Sequence, residues 1–217
     1  MFDPSGALWY VAYGSNLSWA RLRCYLSGGT PSGARRPNPG ARDASPPQAD
    51  EAVTLPGQVY FADQSTMWAG AVAFYDPDVA GPTLARGYLL SAEQFVDVMA
   101  QELGMSASTI PGLPALVVGE RCQLSSGLYG TLLVCGERHG VPLVTFTASQ
   151  AMADMALQTP SLAYLATLAT GLAESHGLDV AAQSAYLANL PGAMPPWDAR
   201  GLASALRLIG AEGLPPG

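Results

Sequence analysis

Lysine is missing altogether: all ten basic residues are arginine. That bias is read as genome composition and given no functional weight. Charged residues make up only 12% of the chain, and the formal charge is −7. Such a balance lacks the basic surface that a phosphate backbone requires, which argues against a nucleic-acid partner. Histidine occurs twice (His139, His176) and cysteine three times (Cys24, Cys122, Cys135), with no Cys-x-x-Cys pair. That set is too small for a structural zinc site, and the odd cysteine count reads as buried free thiols, so no metal is expected. No apolar run reaches the roughly 18 residues needed to span a bilayer, so no membrane partner is expected. Met1 to Gly6 carry no basic stretch of the secretory type, and the expectation is a cytoplasmic protein.

What is present is apolar. Hydrophobic residues make up 49% of the chain, enough to bury a full core. The 217 residues are read as one domain, with a Pro/Gly-rich insertion at about 31–56 and a helical C-terminal extension after about 192. Residues 8–13 read as a buried first strand. Gly14 breaks it, with Ser15 or Asn16 expected to cap the helix that follows, and Gly28-Gly29 stops that helix. Residues 31–56 read as an irregular lid, binding loop or disordered segment. Strands are expected at 57–62, 67–75, 83–90, 115–123, 128–135 and 141–147. Helices are expected at 91–103, 149–156, 160–176, 179–188 and 198–210. That order is α+β rather than alternating α/β. Five arginines fall between Arg21 and Arg42 (with Arg23, Arg35 and Arg36). They either meet an anionic substrate or decorate a solvated loop.

The strand-to-helix turn at Tyr13-Gly14-Ser15-Asn16-Leu17 places unpaired backbone N–H groups where glycine permits close approach of a ligand. Such a turn suits a carboxylate or an oxyanion, and it is also an ordinary capped turn. The motif, following an aromatic strand, resembles the signature of the γ-glutamyl cyclotransferase-like family. Further segments resemble that family in the same order: Trp68-Ala69-Gly70-Ala71-Val72-Ala73, Arg86-Gly87-Tyr88-Leu89, Gln101-Glu102 with Gly104, Gly127-Leu128-Tyr129, and Pro160-Ser161-Leu162-Ala163-Tyr164. The likeness covers roughly residues 8–192. It departs in having Ala71 where a second glycine is usual, in extra segments at 31–56 and 105–126, and in the extension after Gly192.

The resemblance implies a mixed, mostly antiparallel β-barrel-like sheet with packed helices. It implies a general base at Glu102, at the end of an amphipathic helix among apolar neighbours. It implies substrate binding by Tyr13, Gly14, Ser15, Asn16 and Leu17, joined by Tyr129 and Tyr164, whose hydroxyls would fix Glu102 or a substrate carboxylate. Tyr10 and Tyr13 are expected on one side of the first strand. Asp97 should lie too far round its helix to pair with Glu102.

The implied reaction is an intramolecular aminolysis of a small γ-glutamyl-type substrate, releasing 5-oxoproline and an amine or amino acid, with no cofactor. A homodimer is left open. Two other readings compete. One keeps the fold but has another acyl- or amine-transfer activity, or binds a small molecule without catalysis. The other is a hydrolase with Ser15 as nucleophile, although the Gly-x-Ser-x-Gly pattern is missing.

Overall fold

The computed structural model describes residues 6–31, 37–110, 113–115 and 117–212. Among the described residues eight strands and five α-helices follow one another: β1 (Ala7–Ala12), α1 (Trp19–Ser27), β2 (Ala49–Pro56), β3 (Gln58–Ser65), β4 (Gly70–Asp76), β5 (Pro82–Ser91), α2 (Ala92–Leu103), β6 (Arg121–Gln123), β7 (Thr131–Arg138), β8 (Val141–Thr147), α3 (Leu162–His176), α4 (Val180–Ala188) and α5 (Ala199–Glu212). The main sheet has the order β2-β5-β1-β8-β7-β6, antiparallel throughout except where β1 runs parallel to β8. β3 and β4 form a separate antiparallel ribbon. Thr147 on β8 stitches that ribbon to the sheet. Its hydroxyl accepts from the Tyr75 amide at 2.9 Å and donates to the Tyr75 carbonyl at 2.8 Å. The molecule is therefore α+β, with a mostly antiparallel sheet and helices packed on it.

Two apolar clusters lie on the two faces of the sheet. One joins the ribbon to α3, α4 and α5, and the other lies beneath α1 and α2. β1 contributes to both, because side chains alternate along a strand. Tyr10 enters the α1–α2 cluster and Tyr13 the other. This corrects the expectation that both face one side, since an offset of three reverses the face.

Several boundaries differ from expectation. The segment 31–56 is not irregular to its end. Its last eight residues form β2, an edge strand paired with β5 from Ala49–Leu89 to Pro56–Pro82. Its exposed positions are Asp50, Ala52, Thr54 and Pro56 and only Val53 and Leu55 are buried, so the apolar signal is short. Part of the same segment, residues 32–36 with Arg35 and Arg36, lies outside the described residues. The strand expected at 115–123 shrinks to Arg121–Gln123, and the helix expected at 149–156 to one 3-10 turn, Met152–Asp154. Tyr129 precedes its strand rather than opening it, because β7 begins at Thr131. Neither Ser15 nor Asn16 caps α1. A 3-10 turn, Ser15–Leu17, intervenes and Ser18 takes the cap position.

The elements that position the site have clear local causes. Ser91 and Gln94 form a reciprocal capping box at the start of α2, and Gly104 closes its end in the left-handed conformation (φ 64°). This fixes the last turn of α2, which carries Glu102. The 15–17 turn is held from behind. Tyr88 donates to the carbonyls of Asn16 and Leu17 at 3.0 and 3.1 Å, and Arg86 donates to that of Leu17 at 3.3 Å. α3 presses on the same turn at Gly171, where an added Cβ would lie 2.4 Å from Leu17.

Candidate active site

Glu102 reaches from α2 to the turn after β1. Two side chains donate to the same carboxylate oxygen, Oε1: the Tyr25 hydroxyl at 2.5 Å and Asn16 Nδ2 at 3.1 Å. Asn16 Nδ2 also donates to the Tyr10 hydroxyl at 3.0 Å. Tyr25 accepts in turn from Arg21 at 2.7 Å, and the guanidinium lies 4.4 Å from the Tyr25 ring centre. Arg21 also donates to Asn38 Oδ1 at 2.8 Å, Asn38 donates to Gln101 Oε1 at 3.2 Å, and Gln101 donates to the Tyr25 carbonyl at 2.9 Å. Tyr25 and Arg21 stand one helical turn apart on α1, so one helix face delivers both.

Burial first, and then the charge of Glu102, pushes the hydroxyls of Tyr10 and Tyr25 well above the ordinary phenol range. Both remain neutral at physiological pH, and Tyr25 stays able to donate to the carboxylate. Asp97 is not a second acid here. It is buried and bound to Arg42 through the backbone amide at 2.7 Å and through the guanidinium.

These groups form one wall of a cavity of about 310 Å³. Tyr13, Gly14, Ser15 and Asn16 line it, as do Glu102, Tyr129 and Tyr164, with Met67 and Trp68 from the ribbon. Tyr13 donates to the Phe146 carbonyl at 2.7 Å. Leu17 does not line the cavity. It is fully buried in the core beneath α3. The reason is the 3-10 turn, which aims residue 17 inward.

Of the two roles expected of Tyr129 and Tyr164, holding Glu102 is not the one the geometry supports. Neither hydroxyl touches Glu102. Tyr129 donates to the Ala73 carbonyl at 2.9 Å, and the Tyr164 oxygen accepts from the Ala73 amide at 3.0 Å and faces the Ser15 amide. Tyr129, also in the cavity wall, therefore holds β4, while Tyr164 ties β4 to the turn. Gly14 permits this, because an added Cβ would lie 3.1 Å from the Tyr164 hydroxyl. Burial raises the Tyr164 phenol above its usual range, so it keeps its proton. Among the described residues the Tyr164 hydroxyl donates to no protein acceptor, and Tyr164 lines the cavity.

Sequence reasoning missed Tyr25 and Asn38, noted Gln101 only as part of a family-like segment, and treated Arg21 only as part of a charge cluster. Their pairing depends on contacts between distant segments. The one available signal was the Arg21/Tyr25 spacing on a helix. The histidines stand elsewhere. His176 contacts the Ala85 carbonyl at 2.9 Å and His139 lies 3.3 Å from Glu51, so neither serves Ser15 as a base.

No family model matches the chain. Over 198 residues it is 31% identical to histone deacetylase 5 of Arabidopsis thaliana, a stretch that covers 83% of this chain and 30% of that protein. The chain thus spans less than a third of the length of that curated relative. Among solved structures, a γ-glutamyl cyclotransferase superposes with a TM-score of 0.52, covering 93% of this chain and 99% of its own at 14% identity. An uncharacterized human protein superposes with a TM-score of 0.51 over the same shares at 13% identity. At these identities the likeness is one of architecture: the chain has the γ-glutamyl cyclotransferase fold.

Proposed function

We propose that the chain is an enzyme of the γ-glutamyl cyclotransferase type, which cyclises a γ-glutamyl amide to 5-oxoproline and releases an amine or amino acid. The observation that carries this reading is the placement of Glu102. Glu102 lines the cavity together with the Gly14–Asn16 turn, and Tyr25 and Asn16 fix the orientation of its carboxylate.

The steps need no protein nucleophile. The substrate's α-ammonium gives a proton to Glu102. The freed amine attacks the γ-carbonyl carbon, forming the lactam C–N bond. Negative charge collects on the carbonyl oxygen, where the Tyr164 hydroxyl and the turn amides are the available donors. Protonated Glu102 gives its proton to the leaving nitrogen, the carbonyl re-forms as the original amide C–N bond breaks, and the regenerated carboxylate takes the second proton from the new lactam nitrogen and passes it to the departing amine, which leaves as an ammonium. Holding amine and carbonyl together in a bent chain removes much of the entropic barrier.

The test is a screen of γ-glutamyl amines, amino acids and peptides for 5-oxoproline release. Glu102→Gln should cut kcat by about a thousandfold, within the usual range for a general base, with the thermal midpoint little changed. Absence of release from every compound would overturn the reading.

A further inference from the structure

Two polar atoms in the cavity wall are left without partners. Asn16 is 4% exposed, and its Oδ1 has no hydrogen bond. Its amide cannot be turned round to relieve this, because Nδ2 faces the Glu102 carboxylate, which only accepts. Arg21 is also 4% exposed, and its Nε has no partner. Among the described residues no carboxylate lies within ion-pair distance of its guanidinium. Its neighbours are neutral: Asn38, Tyr25 and, at 3.6 Å, the Met67 sulfur. A buried cation and a buried acceptor are each costly when unanswered. Both residues line the same cavity, and a single phenolic oxygen, that of Tyr25, separates the cation from Glu102.

The wall therefore presents an acceptor beside a negative carboxylate, and next to them a cation that makes no direct ion pair within the chain. The complementary ligand carries an ammonium and a carboxylate on one carbon. We propose that Arg21 binds the α-carboxylate of the substrate while Asn16 Oδ1 and Glu102 receive its α-amine, so that the site selects acyl donors with an intact α-amino-acid head. This inference deepens the cyclotransferase reading and rests on it. The planar guanidinium suits a carboxylate better than an ammonium would. The ligand head is neutral overall, so binding it adds no net charge to the buried network. Arg21 is thus a specificity-determining residue, whereas Glu102 performs the proton transfer.

The experiment compares 5-oxoproline with 2-pyrrolidinone, which has the same lactam ring without the carboxylate, by calorimetric or NMR titration of the intact chain. 5-Oxoproline should bind about ten- to a hundredfold more tightly, as expected for a hydrogen-bonded charge pair. In Arg21→Met that gap should close, and in Arg21→Lys it should narrow. Equal affinity, binding of neither lactam, or a gap that persists in folded Arg21→Met would overturn the proposal. The wild-type comparison decides even if Arg21→Met does not fold.

A second arm measures turnover of a γ-glutamyl anilide against its α-carboxamide, with kcat/KM expected to fall by a similar factor and mainly through KM. 5-Oxoproline release without discrimination in either arm would remove the role of Arg21 and leave the cyclotransferase reading standing. Discrimination in binding without any release would do the reverse.

Discussion

Two buried arginines flank the same short turn, and the protein treats them differently. Arg86, behind the turn, is paired with two carboxylates: Asp50, and Glu174 at 2.6 Å. Arg21, in front of it, meets a phenol, an amide and a thioether. A cation that serves only to hold the fold is neutralised within the chain. A cation at a cavity wall that has no direct ion pair is available to a ligand carboxylate. The contrast separates the scaffold of this site from its working surface, and it yields a graded set of tests.

The largest effect on stability should come from the rear. Arg86→Met leaves the Asp50 and Glu174 carboxylates unpaired and removes a donor to the Leu17 carbonyl. Both carboxylates are partly solvated, which moderates the loss. A cost of about 3 kcal/mol is expected in chemical denaturation, below the ceiling for breaking a buried pair. Arg21→Met should cost less, because no carboxylate loses its partner. If the two variants are equally destabilised, the distinction between scaffold and working cation fails.

Next in size is Gly171→Ala. The new methyl would meet the Leu17 backbone carbon at 2.4 Å and the Ser18 amide nitrogen at 2.6 Å. α3 must then move off the turn, at a cost of about 2 kcal/mol for overpacking. Because the displaced turn carries Asn16, kcat/KM should fall along with the thermal midpoint. Retained activity in a destabilised variant would show that the turn tolerates movement.

The contrast also explains what the sequence disclosed. Local signals reached the scaffold. β8 follows an apolar run with its expected bounds of 141–147, and α2 follows its capping serine and three-four spacing. The resemblance of Tyr13-Gly14-Ser15-Asn16 and Gln101-Glu102 to a known family marked two pieces of the site. The pairing of those pieces was hidden, because it is made by residues far apart in the chain: Tyr25 and Glu102 are separated by 77 positions, and Tyr164 and Ala73 by 91. A tyrosine in isolation reads as core, and these tyrosines are core for most of their surface. What gives them a role is the single oxygen at the ring's end, whose partner no local pattern encodes. β2 escaped for a different reason. As an edge strand with only Val53 and Leu55 buried, it buries too little to show an apolar period.

The smallest effect tests the link between front and rear most finely. Tyr25→Phe removes the hydroxyl that donates to Glu102 and accepts from Arg21, while the ring remains. Glu102 keeps Asn16 as a donor, so the carboxylate is loosened rather than released. A loss of about tenfold in kcat is expected, near the value of one hydrogen bond to a charged group. The variant also changes the alkaline limb of stability. Burial raises the Tyr25 phenol well above its usual value in the folded chain, whereas unfolded tyrosine ionises near pH 10. The unfolded chain therefore releases this proton first as pH rises. The stabilisation from the neutral phenol is complete below about pH 10 and is lost above it. Denaturation followed from pH 9 to 11 should show a steeper decline for the wild type than for Tyr25→Phe. Parallel declines would mean that the phenol at the centre of the network is not shielded from water, and that Arg21 and Glu102 are joined by solvent rather than by Tyr25.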